Sequence, residues 1–310
     1  MKNSYKPEGF YTCFEKTSSR TPQRTLYSIS LDDRIYEGTV IKCDPALNLH
    51  IDCGGIKCMM PKEEVTYLFP GDIHKDIAII SRVGKTVCFK IIGVKKDERG
   101  EDVFIVSRRL AQIECIEEYI SSLRPGDIID AKVTHMEQFG AFCDIGCGVV
   151  SLLSVDCISV SRISHPKDRF EVGECIRAVV KSITDEGRVY ITHRELLGTW
   201  EENAAMFSQG QTVAGIIRSV ESYGVFVELS PNLAGLAEPK DDIFPSQNAA
   251  VYIKSIIPER MKIKLVLIDT KCDPPIHTPI KYIGDTYKYD HIDHWLYSPQ
   301  SSKKIIESVF

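Results

Sequence analysis

The sequence predicts an all-β protein assembled from repeated units, and three observations carry that expectation. The first is a gapless internal repeat. "PGDIIDAKVTHMEQFGAFCDIG" from Pro125 aligns with "QGQTVAGIIRSVESYGVFVELS" from Gln209, so that Gly126 meets Gly210, Gly140 meets Gly224 and Phe142 meets Phe226, each pair 84 residues apart. A fixed offset of this kind marks a repeat architecture. The second is a more distant copy upstream, in which "IDCGGIKCMM" answers "CDIGCGVVSLL" and "VGKTVCFKIIGVKKDERGEDVFIVSRR" answers "VGECIRAVVKSITDEGRVYITHRE". The third is the texture of each copy. Short apolar runs alternate with the turn signals "DERGED", "DEGR" and "PERM". About five short strands per unit, with hairpins between them, argue a small barrel or sandwich.

Two helical patterns interrupt the strands. Ser107 to Leu123 places Leu110, Ile113, Ile116, Ile120 and Leu123 on one stripe, and Pro125–Gly126 stops it. The second begins with a capping-box pattern, Thr192 with Glu195, and carries Leu196, Leu197, Trp200, Ala204 and Phe207. Gly198 weakens that helix. The expected organisation is an extended arm over 1–30, a divergent repeat over 31–109, a helical linker over 110–124, a repeat over 125–195, a second helical linker over 196–209, a repeat over 210–269 and an aromatic tail over 270–310, docked on the last repeat.

Composition is that of an ordinary globular chain: 310 residues, 43% hydrophobic, 26% charged, net charge −5. The negative balance excludes a generic basic coat for nucleic acid but leaves room for a local groove of basic and aromatic side chains. The 11 cysteines are odd in number and form no CxxC pair. Most lie inside strand-like apolar runs, where a free thiol behaves as a small hydrophobe, and a reducing cytoplasm is expected. The N-terminal stretch has no apolar core of a signal peptide, and no run approaches the length of a membrane span. No nucleophile–base pair, phosphate-cradling glycine loop or paired metal motif appears, so neither catalysis nor a metal or other cofactor is expected.

The most informative stretch is "EQFGAFCDIGCG". Phe139 and Phe142 stand three apart, which on a regular strand puts them on opposite faces. A bulge at Gly140 would bring both rings to one face. The later repeat keeps the arrangement with Tyr223, Gly224 and Phe226. Two readings stay open: exposed rings on which bases stack, or rings that fill a barrel core.

These residues resemble a family. "KVTHMEQFGAFCDIGCGVVSLL" followed by "SRISHPKDRFEVGECIRAVVKSITDEGRVYITHREL" is similar to the S1 RNA-binding motif of bacterial ribosomal S1 proteins. The resemblance covers Pro125–Glu195 closely, Gly210–Asp269 well and about Ile35–Arg109 more weakly. It implies three tandem five-stranded OB-fold barrels joined by short helices, with single-stranded RNA bound around strands two and three. Family members combine two aromatics with a histidine, an aspartate and a basic residue. Here the middle repeat offers Phe139, Phe142 and Arg188, with Ser154 at the histidine position and Thr184 at the aspartate position. The last repeat offers Tyr223, Phe226 and Lys262, with Glu238 and Ile257 at the corresponding polar positions. The first repeat places its aromatic positions near Leu47 and His50 and its histidine position at Pro61, so it has no stacking platform. "GGIKCMMPKEEV" and "SRRLAQ" also resemble the N-terminal repeats of that family, which implies docking to protein, such as the small ribosomal subunit.

Two further clusters invite a bland and a functional reading. Asp290, His291, Asp293 and His294 form either a metal site or a solvated or capping cluster. Lys95, Lys96, Arg108 and Arg109 form either a solvated surface or a nucleic-acid contact. The expected function is non-catalytic binding of single-stranded RNA, mRNA near the ribosome, in the cytoplasm and away from membranes. The alternative is a protein-interaction module that docks on a ribosomal or ribonuclease partner with weakened RNA binding.

Overall fold

The computed structural model describes residues 5–11, 34–73, 75–272 and 280–310. The arm expected over 1–30 falls mostly outside them. Strands dominate because the apolar runs are rich in β-branched and aromatic residues and alternate in burial. The first five are β1 (Tyr36–Cys43), β2 (Leu49–Cys53), β3 (Ile56–Met60), β4 (Thr86–Lys96) and β5 (Asp102–Ser107), with α1 (Asp76–Ile80) between β3 and β4. They close in the order β1-β2-β3-β5-β4. Val40, Leu49, Ile51, Val87, Phe89 and Phe104 fill the interior.

After α2 (Arg108–Glu118), the second barrel uses β6 (Ile128–Glu137), β7 (Gly140–Asp144), β8 (Val150–Ser154), β9 (Cys175–Ile183) and β10 (Val189–Thr192). α3 (Trp200–Ala204) precedes β11 (Thr212–Glu221), β12 (Gly224–Ser230), β13 (Leu233–Ala237), β14 (Asn248–Ile257) and β15 (Lys262–Lys271). Both sets close as the first does, and β16 (His294–Leu296) pairs with β17 (Glu307–Val309) in the tail. The fold is therefore all-β, as the repeats predict, with three closed five-stranded barrels and short helices between them, as the family resemblance implies.

By contacts the chain forms two compact units: Met1–Leu123 with Asp144–Val150 and Thr184–Arg188, and Arg124–Cys143 with Ser151–Ile183 and Val189–Phe310.

In the first unit the buried face of α2 differs from the expected stripe. Arg108, Ala111, Gln112 and Cys115 are buried, while Leu110, Ile113 and Ile116 are only half-buried. The polar residues can go inward because each is satisfied. Arg108 donates from Nε to Glu8 at 2.6 Å and from Nη2 to Glu8 at 3.2 Å and to the Gly148 carbonyl at 3.0 Å. Gln112 donates to the same carbonyl at 2.9 Å and accepts from the Tyr67 amide at 2.7 Å. Burial works against the Glu8 carboxylate, but Arg108 outweighs it and holds the group below its ordinary range. Asp144 caps this centre by accepting from the Glu8, Gly146 and Gly148 amides. Burial and the neighbouring Glu8 push it up to about 7.

The basic cluster expected near the end of the first repeat is largely consumed. Arg108 has no exposed surface, Arg109 pairs with Glu64 at 2.9 Å and Lys96 with Asp102 at 2.7 Å.

In the second unit the second and third barrels are fastened by buried charge. The "HPKDRF" loop sends Arg169 to Glu228, and Arg218 reaches both Glu228 at 2.8 Å and Asp168 at 3.1 Å. Asn232 is a second hub. Its amide group donates to the carbonyls of Arg194 at 2.8 Å and Gly198 at 2.9 Å, and its side-chain oxygen accepts from the Val160 amide at 2.9 Å.

The expected second helix is cut short at Gly198, whose φ of +81° lies outside the helical region. The capping box belongs to Thr199 and Glu202, at the start of α3. Thr192 instead sits on β10, and its hydroxyl donates to the buried Glu195 carboxylate at 2.7 Å. The tail packs on both barrels of this unit. The Asp290 carbonyl accepts from Ile128, Trp200 donates to the Tyr297 carbonyl, and Trp295 and Tyr297 join the shared core.

Two stability outcomes follow from this unit. His193 is fully buried, edge-on to Phe170 at 5.3 Å, with Nδ1 donating to the Ile158 carbonyl at 3.1 Å. Burial, with Arg169 adding to it, lowers its pKa to about 4. A depressed pKa means that the neutral ring stabilises the fold above about pH 6.5 and that this is lost as pH falls toward 4, about 2 kcal/mol of it by pH 5. Urea midpoints at pH 7 and pH 5 should differ more in the wild type than in His193→Asn. Glu228→Gln leaves two buried guanidiniums short of a counter-charge and should cost about 3–5 kcal/mol. Both tryptophans, Trp200 and Trp295, are buried here and report the transition by fluorescence.

Candidate nucleic-acid interface

Phe139 and Phe142 do share a surface, but not through a bulge at Gly140. β6 ends at Glu137 and β7 begins at Gly140, so Phe139 lies in the turn of the hairpin rather than on a strand. A turn residue escapes the strict alternation of a strand. Phe142 points outward between the fully buried Ala141 and Cys143. The two rings meet edge to face, with centroids 5.9 Å apart and planes at 88°. Phe139 is 56% exposed and Phe142 half-buried.

Gly140 is required by close approach. A Cβ there would come within 2.5 Å of the Leu153 carbonyl oxygen on β8. Gly224 faces the same obstacle, 2.6 Å from the Ala237 carbonyl oxygen. The third barrel repeats the geometry. Tyr223 is in the turn and 63% exposed, and it meets Phe226 edge to face at 6.1 Å and 87°.

The remaining sequence-derived residues fare differently. Ser154 ends β8 half-buried. In the first unit, Thr184 is half-buried and its hydroxyl accepts from the Arg188 amide at 3.2 Å. There the Arg188 guanidinium is engaged by Asp72 at 2.6 Å and lies over the Phe69 ring at 4.8 Å. In the third barrel Lys262 is exposed and stands opposite the half-buried Ile257, and Glu238 is exposed beyond β13. The first barrel presents no phenylalanine or tyrosine at these positions. Leu47 is in a turn, Pro61 follows β3, and His50 pairs with Asp44 at 3.2 Å.

Sequence reasoning missed three residues on this surface. His135 on β6 stacks on Phe142 at 6.0 Å with planes 20° apart and reaches Glu137 at 2.7 Å. Tyr190 on β10 faces outward between the buried Val189 and Ile191. Lys264 on β15 is exposed opposite Leu236. Alternation within "VYIT" and "KIKL" was the available signal.

The aspartate–histidine cluster of the tail has structural partners. His291 contacts Asp127 at 2.6 Å and Asp293 at 3.1 Å, and His294 contacts Glu307 at 2.9 Å. Its hydrogen bond to Asp127 raises the His291 pKa. Among the described residues no group of three or more potential ligands could hold a metal, and no helix is long and apolar enough to cross a membrane.

Comparison with known proteins meets this geometry at the second barrel. Residues 122–194 match the family model described as the S1 RNA binding domain. The chain carries an S1 domain and resembles bS1. It is 30% identical over 214 residues to small ribosomal subunit protein bS1 of Staphylococcus aureus (strain COL), covering 64% of this chain and 54% of that protein. It is 26% identical over 247 residues to bS1 of Rhizobium meliloti (strain 1021), covering 72% of this chain and 41% of that protein. The chain thus spans about half the length of the curated bS1 relatives it matches. A Streptococcus pneumoniae multidomain protein with nucleic acid binding domains aligns at 15% identity and a TM-score of 0.25, over 76% of this chain and 74% of its own, too loosely to carry an argument.

The S1 match ends at Arg194, so it takes in the hairpin that carries Phe139 and the whole of β10. Gly140→Ala should lower the melting temperature by several degrees, because the added methyl must push β8 away, about 1–3 kcal/mol for an overpacked site. Phe139→Ala, at an exposed turn, should stay within about 0.5 kcal/mol of wild type in the same melt.

Proposed function

We propose that the protein binds single-stranded RNA without catalysis, by stacking bases on Phe139 and Phe142 of the second barrel and on Tyr223 and Phe226 of the third, with Lys262 contributing charge for phosphate. The observation that carries this reading is the twofold occurrence of one geometry: an exposed turn ring set edge to face on a strand ring, beside a glycine whose Cβ would crowd a carbonyl of the next strand. An exposed ring is worth about 1–3 kcal/mol per stacked base and tolerates any base. The S1 match over the second barrel supports the choice of RNA, and the likeness to bS1 supports a place near the small ribosomal subunit in the cytoplasm, where mRNA is the proposed ligand. Ser154 and Thr184 replace the polar partners usual in the family, and Arg188 is already paired with Asp72. Affinity of one barrel alone is therefore low, and two barrels fixed in one unit raise it through effective concentration. We assign the first barrel, which lacks the ring pair, to docking on protein.

That engagement of Arg188 also favours a second reading, a module that docks on a ribosomal or ribonuclease partner and has lost most of its RNA affinity. Titration of labelled oligouridine and of a duplex of equal length at two salt concentrations separates the two. Preference for the single strand, with affinity falling as salt rises, is the expected result. Absence of binding at low salt and micromolar protein would sink the RNA reading. Phe142→Ala should weaken oligouridine about 5- to 150-fold while the fold persists.

A further inference from the structure

The outward residues of the second barrel continue past the ring pair. β8 and β10 run parallel, with Tyr190 opposite Leu152, and Tyr190 is also opposite Ser182 on β9. Leu152 points outward, since its neighbours Ser151 and Leu153 are buried. In the third barrel Phe226 stands directly opposite Leu236, and these residues follow Phe142 and Leu152 by 84 each. Phe142, Leu152 and Tyr190 therefore form one row across three adjacent strands. His135 extends the row on its other side by stacking on Phe142. Two strand spacings separate Tyr190 from Phe142, about 10 Å, so a base on one ring is not the base on the other.

The same row in the third barrel reads Phe226, Leu236, Lys264. Lys264 takes the station that Tyr190 holds. Lys254 on β14 and Lys262 on β15 are exposed on the same two strands, and none of the three lysines makes an ion pair among the described residues. On the second barrel Lys181 holds the place of Lys254, its amine 3.2 Å from Cys157 Sγ, but at the fifth-strand station a ring exposed at 36% replaces the lysine. The two barrels share a fold and a ring pair but differ in the chemistry of the fifth strand.

We propose that Tyr190 is a third stacking ring of the second barrel, and that the third barrel uses Lys264 at the same station to meet phosphate, so that the salt dependence of RNA binding resides in the third barrel. This rests on the RNA reading and deepens it. A stacked base is insensitive to salt, because no counterion is displaced. A lysine on a single-strand phosphate contributes about 0.7 to the slope of log affinity against log salt.

The test is titration of labelled oligouridine with the full chain at about 50 and about 200 mM salt. Tyr190→Thr, which keeps strand propensity, should weaken binding about 5- to 150-fold by the same factor at both salts. Lys264→Gln should lower the salt slope by about 0.7. The exchange variants are independent of any loss of packing: Tyr190→Lys should raise the slope and Lys264→Tyr should lower it, each by about 0.7. Wild-type affinity in Tyr190→Thr, or a salt slope unmoved by the lysine substitutions while the wild type binds, overturns the division between barrels and leaves the RNA reading intact. No binding of oligouridine by the wild type overturns both.

Discussion

Each barrel is closed by a parallel ladder only two residue pairs long, and the rest of the structure hangs on it. Cys58 and Met59 meet Phe104 and Ile105, Leu152 and Leu153 meet Tyr190 and Ile191, and Leu236 and Ala237 meet Lys264 and Leu265. Their neighbours, such as β1 with β2, β11 with β14 and β14 with β15, pair antiparallel. Closure removes the exposed edges that an open sheet would carry. It also sets the inner face, where one pair of each ladder is buried on both strands, and so turns the other pair outward by alternation. Because the fifth strand is brought beside the third, residues from opposite ends of a repeat stand in one row. The surface on which a strand of RNA is proposed to lie is thus a product of closure.

Within that frame, glycine decides where the rings can go. Gly140 and Gly224 start the second strand of their barrels directly under a carbonyl of the third. A side chain there would hold the strands apart. With hydrogen in its place the hairpin folds tightly over, and its turn ring comes down beside the ring of the strand. The first barrel has a different hairpin, with Asn48 and Ala46 donating to the Asp44 carboxylate. It has no ring to place and no equivalent platform. One fold thus carries two kinds of surface, which suits a chain whose repeats are proposed to divide their partners.

Buried charge does the joining. In one unit Arg108 is held by Glu8 and backbone carbonyls; in the other Glu228 is shared by Arg169 and Arg218. Such pairs add little net stability over an apolar contact, but they tolerate few alternatives, because a misplaced partner leaves a charge buried alone. The Glu228 pairs thus favour one arrangement of the second and third barrels.

Much of the fold was legible from residue order. The 84-residue offset, the alternating runs and the turn signals sufficed for repeated all-β units, because hydrophobic period and turn chemistry are local properties, while the choice of barrel over sandwich came from the family resemblance. The two ring pairs were legible for the same reason. What failed was the inference about partners. The stripe of α2 was chosen by apolarity, yet Arg108 and Gln112 are buried because distant groups satisfy them. The capping box was placed at Thr192, yet β10 claims that residue and Thr199 caps α3. Arg188 was read as free charge, and Asp72, more than a hundred residues earlier, engages it. Tyr190 and Lys264 were passed over because nothing in sequence brings the fifth strand beside the third. The sequence by itself determined the repeats, the strands and which side chains are aromatic. Only the tertiary structure decided which of them share a surface and which charges remain for a ligand, because both depend on contacts between residues far apart along the chain.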